Sequence, residues 1–341
     1  MSSVGTTDQL PGSGSYQSPI GPVKKLARGG TMGKLTHRLG DKVFNSLTFI
    51  FAAGIGALVI LMLIEMIYYS RLPISKFGLS FIWRSVWNPV TEDFGAITFI
   101  YGTIVSSVLA LIISVPISVG LAIFLVEQAP IKISNPIAFV VQLLAAIPSV
   151  VYGLWGIFVL APLLRNYVYP AIQSVLGFLP IFKGSQNGLG MLTAALILSI
   201  MIVPIITAIS TDILRAVPNT QREAALALGA TKWETTTIVL QNARSGITGA
   251  VILGLGRAIG ETMAVTMLIG NRPEISASLF APSFTIASAI ANEFTEATSE
   301  MYRQSLIELG IVLFIITFII NSLARVLVWS VTRGAGKGTN A

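Results

Sequence analysis

The sequence predicts an all-α membrane protein with six spanning helices. Three observations carry this. Only 11% of the 341 residues are charged, while 53% are hydrophobic and the mean hydropathy is +0.79; a soluble domain carries about 25% charged residues. Six long stretches are poor in charge and rich in apolar side chains. The cationic residues gather in alternate connections between them. This composition excludes a soluble enzyme, a disordered tail protein and a fibrous protein. With no Cys there is no disulfide framework or thiolate metal site, and the single His37 cannot form a cluster.

The order of elements follows from the charge pattern. Residues 1–42 read as a disordered tail: 12 of the first 22 are Gly, Ser or Pro, and Lys24, Lys25, Arg28, Lys34, Arg38 and Lys42 follow. Such a basic stretch suits anionic lipid headgroups. The first span (43–70) is centred on residues 43–64. A loop at 71–98 comes next, with Tyr68, Tyr69, Trp83 and Trp87 placed as an aromatic belt. A core of five further spans fills 99–330. They are expected at 94–126 (membrane part from Phe99), 133–164, 184–211, 246–270 and around 309–324, the last needing flanking apolar residues to reach the roughly 20 a crossing requires. Residues 331–341 read as a second tail. Pro116, Pro148 and Pro204 fall inside spans, either as kinks along a pathway or as tolerated prolines. The short apolar segment 277–291 reads as a re-entrant or surface helix.

The net charge of +7 is distributed unevenly. With six spans, the side holding both termini carries 14 Lys/Arg and the opposite side 7. The positive-inside rule places both termini in the cytoplasm, and the charge is no argument for nucleic acid.

The loop 212–245 is too polar to span. Thr220 to Glu223 and Thr231 to Glu234 each match a capping box, and Gly229 between them matches a helix-ending glycine. The expected unit is helix, glycine turn, helix. Inside the fifth span, Arg257 and Glu261 stand four apart, on one face of a continuous helix. Two readings are open: a self-neutralising pair, or an anion site in which Arg257 is the bidentate donor and Glu261 holds it until the anion arrives. Gly246, Ala250 and Gly254, and also Gly256 and Gly260, repeat every four residues and suit close helix packing. Thr103, Ser106 and Ser107 offer neutral donors near the path, or bond back to their own helix. Glu65 and Glu308 are expected near the interfaces. Glu293, Glu296 and Glu300 read as a solvated acidic face, with receptor docking as the alternative.

Glu223-Ala224-Ala225 followed by Gly229 resembles the EAA loop of ABC importer permeases. The stretch from Gly256 to Ala264, the stretch from Ile147 to Gly156, Phe99 to Thr103, and Trp87-Asn88-Pro89 are similar to phosphate-specific (Pst-type) permeases of the C type. The resemblance covers about 40–332. One departure is Gln241-Asn242, where the family usually has Leu-Pro; this implies that the loop's second helix ends differently.

The resemblance implies an ABC importer permease fold of the MetI-like kind in a bacterial inner membrane. It implies a subunit that is not itself catalytic and binds no cofactor, with ATP and Mg on partner ATPases. Indeed no Gly-x-x-x-x-Gly-Lys-[Ser/Thr] occurs, and the 334–339 stretch lacks its spacing. The implied partners are an A-type permease, two ATP-binding subunits and a periplasmic or lipid-anchored phosphate receptor. Glu223, Ala224, Ala225 and Gly229 are expected to couple to the ATPase. Arg257 and Glu261, with Thr103 and Thr262, are expected to line the phosphate path. Sulfate or molybdate import and secondary transport are the competing functions.

Overall fold

The computed structural model describes residues 31–184 and 187–335. The chain divides into two units, one ending at Ile60 and the other beginning at Leu61. The first unit holds the start of helix α1 (Thr31–Tyr69), which is almost wholly apolar from Val43 onward. The helix therefore begins inside the segment expected to be disordered through residue 42. The rest of that expected tail, 1–30, lies outside the described residues.

The second unit takes up the end of α1 and continues with α2 (Arg71–Phe77) and a 3-10 turn, Gly78–Ile82. Helix α3 (Ile97–Ile123) runs straight through Pro116 into a π turn, Phe124–Gln128. Helix α4 (Ile131–Ala145) stops before Pro148, which disfavours helical backbone at Ile147 ahead of it. Beyond this break, α5 (Ser149–Trp155), α6 (Ala161–Leu163) and α7 (Tyr169–Leu176) are joined by π turns at Gly156–Leu160 and Leu164–Val168. Each π turn lies just ahead of a proline, Pro162 or Pro170, which has no N–H and crowds the carbonyl four residues back. Helix α8 (Met191–Ala216) contains Pro204. Then come α9 (Asn219–Ala227), α10 (Lys232–Gly260), α11 (Met263–Leu268), α12 (Ile286–Glu293) and α13 (Glu300–Ala335). Residues 336–341 of the expected C-terminal tail lie outside the described residues.

Six helices among the described residues are long and apolar enough to cross a membrane. They are Lys42–Tyr69, Ile97–Gln128, Ser149–Leu176, Met191–Ala216, Lys232–Gly260 and Glu300–Val326. The six expected spans are present, and two of them follow a different course. The expected third span at 133–164 is two helices, because Pro148 breaks it. The expected fifth span at 246–270 begins earlier, since the second helix of the polar loop runs into it without a break, and it ends at Gly260.

Small residues let the central helices approach closely. On α3, Ala110 packs with Ala194, Leu198, Ile202 and Ile206 of α8. Ser118 donates to the Val203 carbonyl at 3.3 Å. On α10, Gly246 lies against Ile213, and Gly254 against Ile202 and Ile206. A Cβ added at Gly256 or Gly260 would meet nothing within 4 Å among the described residues.

A second cluster closes the end of the bundle away from α9. Phe94, Phe99, Phe284 and Tyr302 are buried there, and Trp87 packs edge-on against Phe94 and Phe99 with centroids 4.8 and 4.7 Å apart. Trp87 is thus part of the core and not of an aromatic belt, whereas Trp83 is 75% exposed. The segment 277–291 is buried too, with Phe280, Phe284 and Ile286 almost fully covered. That overturns a surface helix. Glu293 is no member of a solvated face: its carboxylate accepts from Trp87 Nε1 and Tyr302 Oη, each at 2.7 Å. Glu308 is likewise buried within the protein, and among the described residues its Oε2 has no hydrogen-bond partner.

Candidate functional site

The polar loop between α8 and α10 is built by its caps. Helix α9 begins at Asn219 after Pro218, so the expected Thr220–Glu223 capping box does not form. The proline, with φ fixed for a helix start, sets the boundary two residues earlier. At the other end Gly229 has φ +85, the left-handed region that glycine enters without strain. Gly229 N–H donates to Leu226 O at 3.0 Å and Ala230 N–H to Ala225 O at 3.1 Å, the paired bonds of a Schellman ending. The second capping box forms as expected: Thr231 Oγ1 accepts from Glu234 N–H, and the Glu234 carboxylate accepts from Thr231 N–H at 2.7 Å.

These caps decide which side chains face outward. Glu223 and Ala224 are exposed, and Ala225 is buried. Leu226, Leu228 and Trp233 are exposed at 51%, 89% and 71%. The loop therefore presents one acidic and several large apolar side chains on a rigid frame. Gln241 and Asn242, which depart from the usual Leu-Pro, do not end the second helix. It continues through them, and Asn242 Nδ2 donates to Gln221 Oε1 at 2.7 Å, tying α10 back to α9.

Helix α10 carries this frame into the apolar part of the protein. From Lys232 to Arg257 it is one rod, about 38 Å long at 1.5 Å per residue. It ends at Gly260, and the expected i, i+4 pair of Arg257 and Glu261 is not made. Glu261 has extended backbone (φ −70, ψ 126), and its buried carboxylate accepts from Ala264 N–H at 3.5 Å, at the start of α11. The cause is electrostatic: a carboxylate is disfavoured at the negative C-terminal end of α10 and favoured at the N-terminal end of α11. Thr262 lies in the same break and donates to Gly260 O at 3.3 Å.

Arg257 is exposed, and among the described residues it makes no ion pair and no hydrogen bond. It is close enough to interact electrostatically with Tyr152, whose hydroxyl donates to Leu144 O at 2.8 Å across the α4–α5 break. The two broken spans meet here. Gly153 of α5 lies against Ala264 and Met267 of α11, and Gly156 against Leu268. Tyr152, Ala264, Leu268 and Ile197 share one core cluster. Arg257, Glu261 and Thr262 thus come together with Tyr152 at a pair of helix breaks. Irregular backbone at membrane depth is tolerated only where protein buries it or a wet cavity adjoins it.

Thr103 has a different place. Its hydroxyl donates to Phe99 O at 2.8 Å and accepts from Ile286 N–H at 3.0 Å, so it fastens α12 to α3. Ser106 bonds back to Gly102 O at 2.7 Å. Gly102 permits the contact: a Cβ there would collide with the Phe284 carbonyl oxygen. Tyr152 and Arg222 were not singled out from sequence. A tyrosine four residues after an intramembrane Pro148 was the available signal for the first; nothing local marked the second.

The comparisons with known proteins agree with this architecture. The family model described as "Binding-protein-dependent transport system inner membrane component" matches residues 114–333. The chain belongs to that family. It is 46% identical over 322 residues to the phosphate transport system permease protein PstC of Mesorhizobium japonicum, covering 92% of this chain and 97% of the relative. Identity to the PstC of Pasteurella multocida is 43%, covering 89% and 96%. It is 32% to the probable PstC of Methanocaldococcus jannaschii, covering 84% and 93%. In this chain the long α10 is the element common to the capped loop and to the exposed arginine.

Proposed function

We propose that the chain is a membrane-spanning permease subunit of an ATP-driven phosphate importer. The observation that carries the reading is the course of α10. One unbroken helix joins an exposed, doubly capped loop to an arginine with unengaged donors beside two helix breaks. The names of the relatives supply the substrate class.

The chemistry follows from the residues. A lone arginine costs about 2.5–3.5 kcal/mol at a helix centre on insertion scales, so it is retained for a task. Its planar fork matches two oxygens of a phosphate. Glu261, held by α11, stays near enough to limit how long the anion lingers. Moving an anion into a negative interior costs about 2.3 kcal/mol per charge per 100 mV, so import needs an energy source. That source is ATP with Mg, bound by two ATPase partners against the face of Glu223, Ala224, Leu228 and Trp233. A second, A-type permease and a periplasmic or lipid-anchored receptor complete the assembly. The chain sits in a bacterial inner membrane with both termini in the cytoplasm. Alternating access moves α10 as a lever and exposes Arg257 to one side and then the other.

The test is phosphate uptake in cells lacking other phosphate importers, at equal membrane abundance of each variant. Arg257→Gln abolishes uptake. Arg257→Lys keeps the charge but loses one bond of the fork, about 1.5–3 kcal/mol, and so lowers uptake at limiting phosphate at least about tenfold. Excess sulfate does not compete with the wild type. Full uptake by Arg257→Gln sinks the anion role, and competition by sulfate widens the substrate to oxyanions in general.

A further inference from the structure

Arg222 stands in the opposite condition from Arg257: all five N–H groups of its guanidinium are engaged within the chain. Nε donates to Glu127 at 3.1 Å (Oε1) and 3.4 Å (Oε2). Nη2 donates to Glu127 Oε1 at 2.8 Å and to the Leu214 carbonyl at 3.0 Å. Nη1 donates to the Val217 carbonyl at 2.7 Å and to Asn219 Oδ1 at 3.2 Å. The two side chains are only 17% and 10% exposed. A second ion pair, Arg84–Asp93, is 39% and 42% exposed, and such open pairs hold little geometry.

The partners of Arg222 are helix ends. Leu214 and Val217 offer carbonyls at the C-terminal end of α8, where four carbonyls lack helical partners and a cation is favoured. Glu127 lies in the π turn that finishes α3, where an unpaired carboxylate would face the negative end of its own helix. Arg222 satisfies both ends at once from a third helix, α9.

The position matters because α9 has a non-helical joint on each side. Val217-Pro218 is extended, and Gly229 is left-handed. Arg222 spans the first joint, bonding Leu214 and Val217 on one side and Asn219 on the other. The Asn242–Gln221 bond spans the second. Two joints that would let α9 swing freely are both bridged.

We propose that Arg222 and Glu127 form a latch inside the subunit that makes α9, α3 and α8 move as one body. Arg222 is a positioning residue: a push delivered to the exposed Glu223 face reaches α3 and α8 through it as well as α10 through the chain. The proposal rests on the function proposed above, in which a docked ATPase supplies the push. It also says that Arg222, with no donor left over, is not a contact for that partner.

The chain has no Cys, which makes a decisive test simple. Wild type, Glu127→Gln, Arg222→Lys and the double variant Arg222→Cys/Glu127→Cys are purified in complex with the ATPase and A-type permease partners and placed in liposomes with the phosphate receptor supplied. ATP hydrolysis and phosphate uptake are read on the same preparation. Glu127→Gln and the unbridged double variant move at least about fivefold less phosphate per ATP than wild type, the lower range of typical coupling factors, with the KM for phosphate unchanged. Arg222→Lys falls between. A flexible bis-maleimide that forms a thioether with each of the two cysteines restores the ratio, and joins them equally well with and without ATP. A wild-type ratio in Glu127→Gln overturns the latch, as does a bridged variant that stops transporting. A bridging yield that changes with nucleotide overturns it whatever the substrate. Absence of ATP-driven phosphate uptake by the wild type sinks the functional reading instead.

Discussion

Replacing Thr103 by Val separates a pathway residue from a structural one. Valine keeps the branched shape and removes only the hydroxyl. In the structure that hydroxyl is the acceptor for Ile286 N–H at 3.0 Å, at a position where both residues are buried. The orphaned donor costs about 1–3 kcal/mol, because no water reaches it in compensation. The lost bond to Phe99 O adds little, since that carbonyl is a backbone acceptor already placed in α3. At about 2 °C per kcal/mol for a chain larger than a small domain, the midpoint of thermal unfolding falls by roughly 2–6 °C. Thr103→Ser, which keeps the hydroxyl, stays within about 1 °C on the same scale. The assay is thermal unfolding of purified protein, with phosphate KM measured on the folded fraction. If Thr103→Val leaves the midpoint unchanged and raises KM, the hydroxyl belongs to the path and its assignment to the α3–α12 fastening is wrong.

Two further outcomes are expected. Gly229→Val forces a β-branched residue to φ +85, while Gly229→Asn tolerates it. Uptake at equal abundance should therefore drop for Val and be largely kept for Asn, and equal uptake by both would dismiss the turn as a coupling element. For Glu293, burial raises the carboxyl pKa, aided by the charge of Glu296 and opposed by the bonds from Tyr302 and Trp87. A raised folded-state pKa contributes stability that is full below the unfolded value, about 4.3, and is lost as pH rises through the folded value. The unfolding midpoint of wild type minus that of Glu293→Gln should accordingly shrink as pH rises from about 4 toward neutrality. A difference that does not vary with pH refutes the buried carboxyl.

Parts of this protein were determined by local sequence. Apolar length sets the spans, because hydrocarbon thickness demands it. Gly229 and the Thr231–Glu234 box set the loop, because caps are satisfied within a few residues. Glu223 in the capped loop and Arg257 within an apolar span were legible as candidates in the same way, as residue types that are out of place unless used. What tertiary structure alone decided are the partners of charges. From spacing, Arg257 and Glu261 should pair; a break at Gly260 and the start of α11 draw the carboxylate away. From type, Thr103 could face a path; packing of Phe284 against Gly102 hands its hydroxyl to Ile286. Arg222 and Glu127 lie 95 residues apart, and nothing near either predicts their meeting. Short-range hydrogen bonds and hydrophobic length can be read along a chain. A long side chain's partner depends on which helix ends the packed bundle brings within reach.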